Sequence, residues 1–257
     1  MRGVFQGRQQ MKAITERTNR RGFFGRMFGA AAAVSLPMAE VASATQGPPA
    51  HTAPATAAGP DAWIAQVKGT HRQLFDFPQH KAFFPQLHIL NYLNTYKEGY
   101  KAAAGTVGAV GTFYGIGNQS SIPLGFNDAM WAKYGLGEYL GLKDASGKFY
   151  TRNVFNSATK ADAHLMFSAI QVPNIAAFAE FMPAMSIASL QKMGTKFILC
   201  NNALEGWCLE LEARGKGKMP EILADLKANL LPGVTIVPAM VIAIEKAQAA
   251  GIKYNRQ

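Results

Sequence analysis

The chain of 257 residues has two cysteines, Cys200 and Cys208. Cys200 closes a short apolar run (Phe197, Ile198, Leu199) that follows Gly194 and gives way to Asn201 and Asn202. Such a run, bounded by glycine and polar residues, reads as a buried strand that ends in a thiol. In open α/β sheets, ligands and chemistry gather in the crevice beyond the strand ends. A thiol that also starts a helix sits at that helix's positive end, among N–H groups without helical partners, which favours thiolate. Thiolate is the species that attacks a sulfane sulfur, and Asn201 and Asn202 add neutral donors suited to a persulfide or to an anion such as thiosulfate. The competing reading is a small buried hydrophobe that finishes a strand, since free cysteine is among the most buried residue types.

Cys208 lies eight residues further on. On one continuous helix that separation rises about 12 Å, whereas bridged Cα atoms lie within about 7 Å. The expectation is therefore two free thiols, or a resolving role for Cys208 if the segment folds back. A second candidate is Gly115-Ile-Gly117-Asn118-Gln-Ser120. It resembles part of a dinucleotide loop but lacks the third glycine and does not open the first βα unit, so it reads as a turn lining the same crevice. Asn127, Asp128 and Trp131 are further crevice candidates, although helix capping and core packing also account for them.

Other chemistries find no foothold. His71, His80, His88 and His164 form no HxH or HxxxH pattern, and no Cys-x-x-Cys is present, so structural zinc is unsupported. Met182, Met185 and Met193 read as a helix's apolar stripe. No Ser-His-Asp arrangement can be argued, and no cofactor or metal is expected.

The elements that must position Cys200 alternate along the chain. A short helix over 61–68 carries Trp63, Ile64 and Val67. A first strand over 71–77 stops at Pro78, and a crossover helix spans 87–104. A second strand covers 107–114, with glycines that suggest close packing from helices. A helix follows over 127–142, with Asn127 as N-cap and Met130, Trp131, Tyr134 and Leu136 as core candidates. Residues 143–158 are polar and glycine-interrupted and read as a surface excursion. Residues 175–193 are helical and are kinked or divided at Pro183. After the Cys200 strand come helices over 204–213 and 220–230, a strand over 234–237, a helix over 239–250 begun by Pro238 and closed by Gly251, and a last strand over 252–254. With right-handed crossovers this gives one α/β domain, a doubly wound, mostly parallel five-stranded sheet with helices on both faces and the Cys200 strand at its centre.

The first sixty residues are of another kind. Formal net charge is +10, but residues 1–44 hold Arg2, Arg8, Lys12, Arg17, Arg20, Arg21 and Arg26 against Glu16 and Glu40, which is half of it. The remaining lysines are scattered rather than gathered into a stripe, so nucleic acid is not an expected partner. Arg20, Arg21 and Phe23, followed by an Ala-rich apolar stretch to Ala39, resemble a twin-arginine (Tat) export signal. Ala42-Ser43-Ala44 supplies small residues for cleavage after Ala44. The resemblance implies passage through the Tat machinery to the periplasm. Residues 45–60, with four prolines and no bulky apolar side chain, read as a disordered linker, which leaves 61–257 as the folded domain. No apolar run is long enough for a stable membrane span.

The order of these pieces resembles the DsrE-like sulfur-relay superfamily. The residues that carry the likeness are Cys200-Asn201-Asn202-Ala203-Leu204 after a strand, Leu231-Pro232-Gly233-Val234, Val237-Pro238-Ala239, and a closing helix with Gln248 and Gly251 before Tyr254. The likeness extends over roughly 71–254. It implies a persulfide-carrying role for Cys200, small sulfur species as ligands, and a homo-oligomer, trimer or hexamer. Departures are Met240, where glycine is usual, the long 143–173 region, and export away from the family's cytoplasmic partners. The expected function is binding or relay of reduced sulfur through Cys200; the alternative is a non-enzymatic periplasmic oligomeric binding or assembly module.

Overall fold

The computed structural model describes residues 59–257. The expected export segment, with Arg20, Arg21 and Phe23, and nearly all of the linker lie outside the described residues. Five strands build one sheet: β1 (His71–Asp76), β2 (Val107–Phe113), β3 (Thr195–Cys200), β4 (Val234–Val237) and β5 (Lys253–Arg256). Their order is β4-β3-β2-β1-β5 and every neighbouring pair is parallel. The expected α/β fold is present, and the sheet is wholly parallel. The Cys200 strand is second from the edge, not central; β2 holds the centre, because the chain steps from β1 to β4 in one direction and only then returns to place β5 beside β1.

That path decides where the helices go. Right-handed crossovers put connections made in one direction on one face and the returning connection on the other. The outward connections are α1 (Phe84–Glu98), then α2 (Asp128–Tyr134), α3 (Leu136–Tyr139), α4 (Ala163–Ala169), α5 (Ala176–Ala179) and α6 (Ile187–Lys192), then α7 (Asn201–Ala213) and α8 (Met219–Ala228). They share one large core with Phe75, Phe113, Phe197 and Leu199 of the sheet. The return is α9 (Met240–Ala249) alone. Its Met240, Ala243 and Ala247, with Trp63 and Val67 beside a 3-10 turn, cover the opposite face over Leu74, Val110, Ile198 and Cys200. Alternation along β3 therefore sends Phe197 and Leu199 into the thick layer and Ile198 and Cys200 into the thin one.

Several local expectations change. Residues 143–158 are not simply a surface excursion: Tyr150, Val154 and Phe155 are buried in the main core. The cause is Asn153, fully buried, whose Nδ2 donates to the carbonyls of Leu124 (2.9 Å) and Phe126 (2.7 Å) while its Oδ1 accepts from the amides of Phe155 and Asn156. A polar residue thus satisfies the backbone of an irregular stretch and lets its apolar neighbours go inside. Pro183 lies in a 3-10 turn (Met182–Met185) between α5 and α6, so the 175–193 segment is divided. α9 begins after Ala239, one residue beyond Pro238. The glycines of β2 serve neighbours other than helices. A Cβ on Gly111 would lie 2.5 Å from the Phe197 ring, and one on Gly108 would lie 2.4 Å from the Lys68 carbonyl.

Candidate functional site

Because all strands run the same way, their carboxyl ends share one edge. Cys200 stands there as the last residue of β3 and the N-cap of α7. Its Sγ accepts the backbone N–H of Ala203 at 3.4 Å and that of Met240 at 3.3 Å. Ala203 is in the first turn of α7 and Met240 is the first residue of α9, so two helix starts converge on one sulfur. The amide of Asn202 donates to the Pro238 carbonyl at 3.2 Å and locks the two starts together. Thiols are weak acceptors, and a sulfur anion would take both bonds more strongly. Cys200 is 5% exposed, so its sulfur is nearly closed off from solvent.

The same edge and face carry a polar cluster that the sequence reading missed. Asp76, the last residue of β1, is 2% exposed. Its Oδ1 accepts from the Tyr114 hydroxyl (2.8 Å) and the Thr112 hydroxyl (3.3 Å), and its Oδ2 accepts from the Tyr254 hydroxyl (2.7 Å). Burial pushes the Tyr114 phenol well above its ordinary value, and the hydrogen bond to Asp76 adds to the rise. At Tyr254 the bond to Asp76 is the leading cause of an upward shift, with burial next. Tyr114 also packs against the thin apolar layer that contains Cys200. Asp76 lies opposite Arg256 in the register between β1 and β5. The available signal was an acid at the end of an otherwise apolar run, Leu74-Phe75-Asp76-Phe77, in step with Leu74 on the thin face.

The sequence candidates distribute as follows. Asn201 and Asn202 follow the thiol in the first turn of α7, but the Asn201 side-chain amide donates to Glu205 at 2.8 Å, and Asn202 contributes its backbone N–H to the Pro238 carbonyl. Gly115, Gly117 and Asn118 follow β2 on the same edge, and their ties run to the turn after β1. A Cβ on Gly115 would lie 2.4 Å from the Pro78 carbonyl, and Ser120 bridges Gln79. Asp128 opens α2 and accepts the Asn153 amide at 2.8 Å, so it braces the clamp beneath 143–158 and is not brought to Cys200. Asn127 caps α2 through Met130, and Trp131 donates to the Pro123 carbonyl. Cys208 is fully buried among Trp207, Leu204 and Leu211 in the thick layer, on the other side of the sheet from Cys200. Both thiols are free. A resolving role for Cys208 would require α7 to leave the sheet.

Among the described residues, no group of three or more His, Cys, Asp or Glu side chains is placed to hold a metal ion, and no helix is long and apolar enough to cross a membrane. Comparison with protein-family models, with curated proteins and with solved structures found no match.

Proposed function

We propose that the protein binds or relays reduced sulfur through Cys200, as a DsrE-like periplasmic protein exported by the Tat route and assembled as a homo-oligomer. The observation that carries this reading is the pair of N–H groups, from Ala203 and Met240, aimed at the Cys200 sulfur. Two donors from two helix starts stabilise a negative charge on sulfur, whether thiolate or perthiolate. With thiosulfate, the thiolate attacks the outer sulfur, a new S–S bond forms, the bond to the sulfonate sulfur breaks, and its electron pair leaves as sulfite. Cys200 then holds a perthiolate that a second thiol can accept. No external oxidant is needed.

The test is intact-mass analysis after incubation with thiosulfate or polysulfide, with sulfide alone as control, since sulfide cannot donate a sulfane sulfur without an oxidant. The reading expects an added sulfur atom that Cys200→Ala abolishes and Cys208→Ala does not. Unmodified protein under every condition sinks it. The burial of Cys200 and the exposure of Val241 (73%) and Ile242 (51%) on α9 favour a second reading, an oligomeric binding or assembly module without thiol chemistry. Rapid alkylation of Cys200 at neutral pH in the folded protein supports relay, and an inert thiol supports the module.

A further inference from the structure

At the opposite edge of the sheet, where β2, β3 and β4 begin, lies a cavity of about 530 Å³, within the size range of small-molecule sites. Lys68 and Lys196 line it together with Gln66, Gln191 and Thr195, and no acidic residue does. Neither lysine is paired with a carboxylate among the described residues. Thr195 opens β3 and is 2% exposed, and its hydroxyl is buried without a hydrogen-bond partner. The walls are fixed. The bare backbone at Gly108 lets the Lys68 carbonyl close onto β2, and Gln191 Nε2 donates to the Pro232 carbonyl at 2.8 Å. Lys196 projects on the thin face with Ile198, and Thr195 on the thick face with Phe197, so the cavity wraps around the end of the sheet.

We propose that this cavity binds a small molecule through a doubly charged oxyanion group such as a phosphate, a sulfate or a dicarboxylate. Two ammonium groups without carboxylate partners among the described residues supply the charge. The absence of carboxylates from the lining removes the groups that would neutralise those lysines or repel the anion. The site is at the far end of the strands from Cys200 and does not depend on sulfur chemistry.

The test is titration of the full chain with inorganic phosphate, sulfate and malonate at low ionic strength, followed by calorimetry and by amide NMR shifts, with chloride at matched ionic strength as reference. The site expects saturable binding of at least one of the three, with shifts centred on residues 194–196 and 232–233. Lys68→Gln with Lys196→Gln should weaken that binding by about tenfold or more. Lys68 is exposed and Lys196 half-buried, and neither forms an ion pair among the described residues, so the double variant should keep its thermal midpoint without anion, and that measurement separates lost binding from lost folding. Equal response to chloride, no binding of any of the three anions, or undiminished binding in the folded double variant overturns the site.

Discussion

The sulfur of Cys200 accepts the backbone N–H of Met240 at 3.3 Å, across forty residues of sequence. Through that bond, and the Ala203 amide on the same atom, the end of β3 fixes the first turns of both α7 and α9. The thiol is therefore a structural acceptor and a candidate nucleophile at once, and substitutions separate the two roles. Cys200→Ser keeps an N-cap oxygen and should leave stability within about 1 kcal/mol of wild type. Cys200→Ala strands both amides near the thin layer and should cost about 1–3 kcal/mol. Urea midpoints at unchanged m-value read the difference. Both variants should lose sulfur loading, so a Ser variant that still gains sulfur mass would move the chemistry elsewhere.

The Asp76 cluster ties the last strand into the sheet. β5 is short and lies at the edge, and its Tyr254 reaches a buried carboxylate on β1. Tyr254→Phe should cost about 1 kcal/mol, because the ring is partly exposed, and should speed hydrogen exchange of the β5 amides more than those of β2. Tyr114→Phe removes a bond from a more enclosed hydroxyl to the same carboxylate and should cost about 1.5–3 kcal/mol. Equal protection of β5 in Tyr254→Phe would show that main-chain pairing alone holds it.

Acid sensitivity should trace to His80. Burial lowers its pKa from 6.5 to about 4, with the Asn118 backbone opposing part of the drop. Between those values the unfolded chain binds a proton that the folded one refuses, so stability is full above about 6.5 and falls as the pH drops towards about 4. The neutral ring is required because Nδ1 accepts the Ala82 amide at 3.2 Å, where Lys81, Ala82 and Phe83 all have positive φ. Asn at position 80 can accept a similar bond without titrating. His80→Asn should therefore flatten the stability profile between pH 6.5 and pH 4, measured by denaturant midpoints across that range. An unchanged acid limb would assign it to carboxylates instead.

How much of this was legible depended on whether the decisive partner was near in sequence. The Phe197 to Cys200 strand, the Asn127 cap and the burial of Trp131 follow from local pattern and propensity, and the structure contains them. Strand order did not follow, because parallel pairing joins residues far apart in the chain and nothing in the β5 sequence says which edge it takes. That is why β3 was expected at the centre. The same limit hid Asp76, whose meaning depends on Tyr254 arriving 178 residues later. Asn153 misled in the other direction: asparagine in a polar, glycine-interrupted stretch has the composition of a surface loop, and only the carbonyls of Leu124 and Phe126 show why it is inside.

The alkaline limb should belong to Cys208 and the tyrosines. Burial pushes the Cys208 thiol up from 9.0 to about 11, with Glu205 adding to the rise and Lys227 opposing it. Burial, followed by the neighbouring Tyr96, pushes the Tyr92 phenol up from 10.0 to about 12. In each case the folded state holds its proton more tightly than the unfolded chain. Stability is therefore full below about pH 9 and declines through about pH 12 as the unfolded chain ionises first. Cys208→Ala should remove the part of the decline between about 9 and 11. It should also lower stability at neutral pH by about 1 kcal/mol through the small cavity left beside Trp207. In the folded wild type, iodoacetamide should leave Cys208 unmodified at neutral pH and label it fully once urea opens α7. Labelling of Cys208 in the native protein at a rate matching that in urea would place it outside the thick layer and reopen the question of its pairing with Cys200.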